Sequence, residues 1–558
     1  MKKIYQFIII ITIIVSFVSC LKMKEVILDS PMADTYIESE NDALSLLKGA
    51  YSFLSNPDMY KDNYFNLLFF SGDDVMTATA AYRPVLERTV AISSVDVGDP
   101  WGEFYELINN TNSLLAAFSN SDVISGEFKK KALGELYFLR GYSYFNLVRL
   151  YGGVPLSLAP TTGTSDFYLE RSTVEKVYTQ VFDDLKKANE WCIPFNLQPA
   201  NELGRATKGA AQAMLALAYL TYGNYNDLKQ TDGKEYYQLA KNYADSVILS
   251  NQYSLLPNYA DLWDVNKEKN AYKEVIFGVQ FARDGTSSGN PSKGSSFAFR
   301  TQPAQRYFVT GSTTSGKGSD QWRLQPWFYD LCTTGDFTGD YRTDVTFLTQ
   351  YSHQGGTTTR ITYPRTKMAG NELVDLYPYL NKYRDPDGLQ DLNNENDLFI
   401  IRLSEVYLIK AEAENELNGP TAVAYEAFNK LRERARLANG TARTTPANLT
   451  SGLSKENFRL KVFDERGLEL VGEGHRWFDL VRMRYIDGRT MMQYRYETFL
   501  PSLPKTAPAY NATTNTWGGG KVYPTNIVAW SKKMLLWPIP GREIDTNPNM
   551  KQNSEYGW

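Results

Sequence analysis

Cysteine and histidine are scarce in this chain, with three cysteines and two histidines among 558 residues. So few thiols exclude a disulfide framework, although Cys192 and Cys332 could form one bridge. His353 and His475 lie far apart and lack metal-ligand spacing, so neither a metal nor another cofactor is expected. A surplus of positive charge is missing too. The formal net charge is −4, which removes the electrostatic footprint of a nucleic-acid binder. Past the first 20 residues no apolar run is long enough to span a bilayer. Aromatics, in contrast, are abundant: 38 Tyr, 28 Phe and 10 Trp make up 14% of the chain. That many rings predict both a large aromatic core and rings displayed at the surface.

The N-terminus has the pattern of export. Met1-Lys2-Lys3 precedes an apolar run from Ile4 to Val18, and Ser19-Cys20 follows. A basic start and a short apolar segment form a secretory signal, and the run is too short for a comfortable span. A small residue directly before a cysteine resembles a bacterial lipobox, with Phe17 where Leu is usual. Residues 1–19 then read as a lipoprotein signal peptide, Cys20 as the lipidation site and 20–42 as a tether. Two or more acyl chains on Cys20 would anchor stably, where one would not.

Helical periodicity dominates the rest. Amphipathic stretches run from Ala43 to Leu54, Phe128 to Tyr151 and Thr173 to Cys192. Another is expected from Trp101 to Phe118, opening after a turn at Gly98-Asp99-Pro100. Gly152-Gly153-Val154-Pro155 is a strong helix stop. Lys208–Tyr222 carries Ala at 210, 211, 213, 216 and 218, and Tyr236–Ser250 is its expected antiparallel partner. Ile401–Leu417 and Ala422–Leu437 form a further pair across Asn418-Gly419-Pro420. Paired helices with small residues at the seam look like tetratricopeptide units of irregular period. The predicted fold is mainly α: a tetratricopeptide-like helical hairpin scaffold with a loop-rich insertion containing short β segments. We expect the scaffold over about 43–254 and 401–484, the insertion over about 255–400, and a C-terminal segment over 485–558. Long irregular insertions in a helical scaffold are more often functional than structural.

Four stretches carry a resemblance. They are Leu139-Arg140-Gly141-Tyr142 through Tyr151-Gly152-Gly153-Val154-Pro155-Leu156, then Ile401 to Ala413, then Phe463-Asp464-Glu465-Arg466-Gly467-Leu468-Glu469-Leu470 with Gly474 to Leu480, and finally Leu536-Trp537-Pro538-Ile539-Pro540 with Asn547-Pro548-Asn549. Together, in this order and behind a lipobox, they resemble the SusD/RagB family of outer-membrane nutrient-binding lipoproteins. The resemblance implies a non-catalytic subunit that captures oligosaccharides and delivers them to a SusC-like TonB-dependent transporter. It also implies contact with the membrane only through the lipid, on the cell exterior. A peptide-capturing subunit on the same fold, a lipid-anchored glycoside hydrolase and a pure protein scaffold remain as alternatives. Leu21-Lys22-Met23-Lys24 lacks the acidic residues common after the cysteine in surface-exported lipoproteins.

Several clusters invite a chemical reading. Glu465, Glu469, Glu473, His475 and Asp479 could do acid–base work, but packing ion pairs explain a family signature better. Asp73-Asp74 could supply the two carboxylates of a glycosidase. Adjacent residues of an extended segment point apart, which favours ligand hydrogen bonding or a solvated loop. Gly311 to Gly318 nearly spells a phosphate loop but lacks its Ser/Thr. Asp385-Pro386-Asp387-Gly388 with Asp391 reads as a turn rather than a calcium loop. Sugars need ring faces and nearby hydrogen-bonding groups. Asp73, Asp74, Tyr82, Arg83 and Trp101 supply these in one region, and Phe299, Tyr307, Trp322, Arg323 and Trp327 in another. A Trp near such a helix start often contacts glycan in SusD-like proteins, which favours Trp101. Trp477 and Trp537 are expected in the core.

Overall fold

The computed structural model describes residues 37–558 except 78, 162–167, 284–292, 304–306, 310–314, 317, 349, 354–358, 362–372, 375–376, 389–390, 505, 512–515 and 523–527. Cys20, the signal segment and most of the tether lie outside the described residues. So does the greater part of the Gly311–Gly318 loop.

Side-chain caps and glycine stops set the helices. The first are α1 (Glu40–Ser52), α2 (Asn63–Phe70), α3 (Val95–Asn120), α4 (Gly126–Tyr151), α5 (Val174–Trp191), α6 (Lys208–Leu228) and α7 (Lys234–Leu249). Ser94, Ser125, Thr173 and Thr207 each accept a hydrogen bond from a backbone N–H in the first turn of the helix that follows, as N-caps do. Gly152 ends α4 at φ +76°, with its N–H bonded to the Val148 carbonyl. Each helix from α3 to α7 packs on the next. The five alanines of α6 at 210, 211, 213, 216 and 218 are wholly buried, so they let the neighbouring helices approach closely. Past the insertion come α8 (Leu403–Asn418), α9 (Ala422–Ala435), α10 (Lys455–Glu469) and α11 (Arg476–Arg482). α8 packs on α7, on α9 and on α10, which continues the array. The molecule is mainly α, as its periodicity predicts.

Strands serve as straps. β1 (Val75–Met76) pairs antiparallel with β3 (Arg323–Leu324), and β2 (Val275–Val279) with β4 (Leu398–Arg402). β2 and β4 are buried along their whole length and contact α6. A five-stranded sheet in the insertion runs in the order 315–316, 307–309, 350–353, 359–361, 373–374. Cys192 and Cys332 are both free and buried. The Asp385 carboxylate accepts from the backbone N–H groups of Asp387, Gly388 and Glu395, so this segment is a self-bonded turn.

Charge fills the space between α8, α10, α11 and the insertion. Arg402 bridges Glu274 at 2.9 Å, Glu469 at 3.0 Å and Glu473 at 2.8 Å. Arg342 reaches Asp340 and Glu465, both at 2.6 Å, and Glu469 at 2.9 Å. Arg434 adds a 2.6 Å bond to Glu469, and Lys382 one of 2.8 Å to Glu473. Further along, Arg466 joins Glu405 to Asp479, and Arg482 joins Asp479 to Glu412. All these groups are buried. Burial works to raise the Glu469 pKa, yet Arg434, Arg402 and Arg342 overcome it and hold the group well below its ordinary value. Burial likewise opposes Asp479, which Arg466 and Arg482 bring down to about 2. The acidic signature of the third motif is therefore a set of internal ion pairs.

Candidate functional site

The two candidate regions meet at one face. Antiparallel pairing sets Val75 opposite Leu324 and Met76 opposite Arg323. This ribbon brings the segment after α2 against the segment entering the short helix Pro326–Thr333. The Thr77 hydroxyl donates to the Gln321 carbonyl at 2.8 Å, and the Tyr82 hydroxyl to Gln321 Oε1 at 3.0 Å.

Much of the expected aromatic surface is inside. The helix carrying Trp101 begins six residues earlier than expected, at Val95. Ser94 caps it and Pro100 is absorbed into the helix. Trp101 is therefore a mid-helix core residue, 3% exposed. Its ring meets Tyr151 edge-on at 5.1 Å, and its side chain is hydrogen-bonded to Glu543. Trp322 is fully buried, stacked on Phe69 at 4.9 Å and tilted against Phe65 at 5.2 Å. Trp327 is buried under the Arg495 guanidinium at 4.2 Å. None of the three offers a ring face to a sugar. Trp477 and Trp537 are in the core as expected.

Asp73 and Asp74 are also buried rather than solvated. Arg476 donates to Asp73 Oδ1 at 2.7 Å and Arg495 to Oδ2 at 2.6 Å. Burial would lift the Asp73 pKa, but these two cations pull it below its usual value. Asp74 goes the other way, pushed up mainly by burial and further by the Asp73 charge. A carboxylate held by two arginines inside the protein is neither a ligand contact nor a glycosidase nucleophile.

What faces outward is a smaller rim. Tyr82 is half-buried, with its ring stacked on Phe70 at 4.8 Å. Arg83 is exposed beside it, and Phe299 is half-buried on the short helix Phe297–Thr301. Arg323 lies over the Tyr377 ring at 3.9 Å and forms a two-point ion pair with Asp320. Below them Arg300 joins Asp62 to Asp391. All three charges bias the Tyr82 hydroxyl, although partial burial is what chiefly raises its pKa. Tyr307 occupies the strand Tyr307–Val309 opposite His353, and its side chain lies outside the described residues. Sequence reasoning missed Asp62, Arg300, Gln321 and Tyr377. A signal existed for Gln321: successive strand residues face opposite ways, so Trp322 and Leu324 turned inward leave Gln321 and Arg323 outward.

Helical hairpins joined by a loop-rich face, with internal ion pairs at the signature positions, define the class of scaffold. A family model described as "SusD family" matches residues 273–558, and one described as "Starch-binding associating with outer membrane" matches 26–220. The chain belongs to the SusD family. It is 28% identical over 564 residues to a SusD-like protein, P25, of Formosa agariphila, covering 95% of each chain. Against the starch-binding protein SusD of Bacteroides thetaiotaomicron it is 25% identical over 468 residues, 76% of this chain and 72% of the other. A crystal structure of a SusD homolog from Bacteroides thetaiotaomicron superposes with a TM-score of 0.77 at 23% identity, covering 94% of this chain and 98% of that one.

Proposed function

We propose that this protein captures oligosaccharides at the outer membrane, without catalysis, and passes them to a SusC-like TonB-dependent transporter. Lipid on Cys20 would hold it there, facing the cell exterior. The observation that carries the reading is the rim of Tyr82, Arg83, Phe299, Gln321 and Arg323. It sets the half-buried rings of Tyr82 and Phe299 beside hydrogen-bonding groups, the mixture a sugar site requires. The starch-binding name of a relative supports the ligand class. The locked state of the acidic signatures supports a binding role over hydrolysis.

Calorimetry of the soluble chain against neutral glucans such as maltoheptaose and laminarin tests this. Binding is expected, and Tyr82→Ala should weaken it by about tenfold, the worth of roughly 1.4 kcal/mol of stacking and hydrogen bonding. Undiminished affinity in Tyr82→Ala and Arg83→Ala together sinks the site. Release of new reducing ends by the pure protein sinks the non-catalytic reading.

A further inference from the structure

A cleft away from that rim has the lining of an acid-recognition site. It opens where the end of α4, the start of α5, the end of α6 and the C-terminal tail converge. An inner chamber of about 400 Å³ joins an outer one of about 810 Å³; Tyr225, Lys229 and Tyr556 line both. Both volumes fall in the range of small-ligand sites, about 300–1,000 Å³.

The inner chamber is one-sided in charge. Arg149, Lys229, Arg482 and Arg489 line it, and no Asp or Glu does. Three of these have carboxylate partners set outside the lining. Arg482 pairs with Glu412 and Asp479, Arg489 with Asp487 and Glu497, and the half-exposed Lys229 with Glu175 at 3.4 Å. Arg149 has none among the described residues. Its guanidinium is sandwiched between the rings of Phe145 at 3.9 Å and Phe478 at 3.7 Å. Asn146 orients it, accepting from Nη2 at 2.6 Å, and is itself fixed by the Tyr64 hydroxyl at 2.7 Å. Nε is shut off from solvent and has no protein partner.

Two aromatic faces cover the faces of a delocalised cation, so the edge is what remains for an acceptor. With Nε shut off and Nη2 engaged by Asn146, Nη1 is the donor left for a carboxylate, a single charge-assisted hydrogen bond. The rest of the chamber suits a pyranose. Leu536 and Val174 offer apolar contact, while Tyr225, Thr490 and Gln493 offer hydroxyl and amide groups. Outward the lining turns to mixed charge, with Glu170, Glu555 and Lys551 beside Asn549. That chamber carries no single-sign preference.

We infer that the cleft binds an acidic oligosaccharide, with a terminal uronate carboxylate against the Arg149 edge and neutral residues running into the outer chamber. This rests on the sugar-capture reading for its ligand class, and it places a second binding site apart from the Tyr82 rim.

Calorimetry with digalacturonic acid and with neutral galactobiose tests it on the full mature chain. The acid should bind at least tenfold tighter, and the preference should shrink as salt screens it. Arg149→Met should abolish the preference. Lys229→Glu, a change on a half-exposed side chain, should reduce it severalfold. Equal affinity for acid and neutral sugar overturns the inference, as does a preference that survives both charge variants. Tighter binding by a short peptide through its free carboxylate overturns it also. If neutral glucans bind through Tyr82 while digalacturonic acid shows no preference, this inference alone fails; if no sugar of either kind binds, both readings fail.

Discussion

Glu469 accepts ion pairs from Arg342, Arg402 and Arg434 without touching solvent. Removing one partner from such a cluster leaves a buried charge uncompensated, at a cost of ~3–5 kcal/mol. Arg402→Met should therefore lower the urea midpoint sharply, by more than any rim substitution, with the slope unchanged. Asp479 gives a pH signature. Its pKa is about 2 in the folded chain against 3.8 as the ordinary value, worth ~2 kcal/mol of stability. A lowered carboxylate pKa contributes fully above the unfolded value and is lost as pH falls through the folded one. Stability should thus decline between pH 4 and pH 2, and Asp479→Asn, though less stable at neutral pH, should show a shallower decline. Unfolding curves at stepped pH check this. The same residues lie in the stretch matched by the family model and are engaged by ion pairs inside the fold.

At the scale of elements, caps and stops do much of the work. Ser125 accepts from the Phe128 N–H at the start of α4, so Ser125→Ala should cost ~1 kcal/mol. Gly153 is constrained by contact rather than by φ. A Cβ there would strike the Ser172 carbonyl oxygen, backbone that cannot step aside. Gly153→Ala should destabilise by ~1–3 kcal/mol and open the seam between α4 and α5, seen as faster amide exchange at both ends. Most helices were legible because apolar spacing and local caps are properties of short windows. The position of Trp101 was misread for a local reason. Pro100 suggested a helix start, yet Ser94 six residues upstream already supplied the cap. Trp322 was unreadable because its cover, Phe65 and Phe69, lies some 250 residues earlier in the chain and arrives only through the β1–β3 pairing. Arg149 went unnoticed inside a family signature, where its missing carboxylate partner leaves no trace in sequence.

For the whole molecule, the proposed attachment at Cys20 precedes Glu40–Ser52, the first helix among the described residues. Cys20→Ala should release a correctly folded protein from the outer membrane, with glucan affinity retained in solution. Fractionation followed by calorimetry measures both. Co-purification of the lipidated form with a large β-barrel protein from native membranes is the expected outcome for an importer subunit. Retention of that partner by Cys20→Ala would show that the protein interface, and not the tether, holds the pair together.

The close of the chain bears on how it is made. Asn553 donates to the Tyr151 carbonyl at 3.0 Å and to the Trp537 carbonyl at 2.9 Å, and Trp537 N–H bonds to the Leu150 carbonyl at 2.8 Å. The exit of α4 is thus sealed by residues as many as 402 positions further along the chain. Contacts so distant in sequence form late and slowly. Until residues 537–553 dock, the exit of α4 lacks these bonds. A truncation ending before Asn553 should leave secondary structure largely intact while raising sensitivity to proteases at the α4–α5 junction, which limited proteolysis measures.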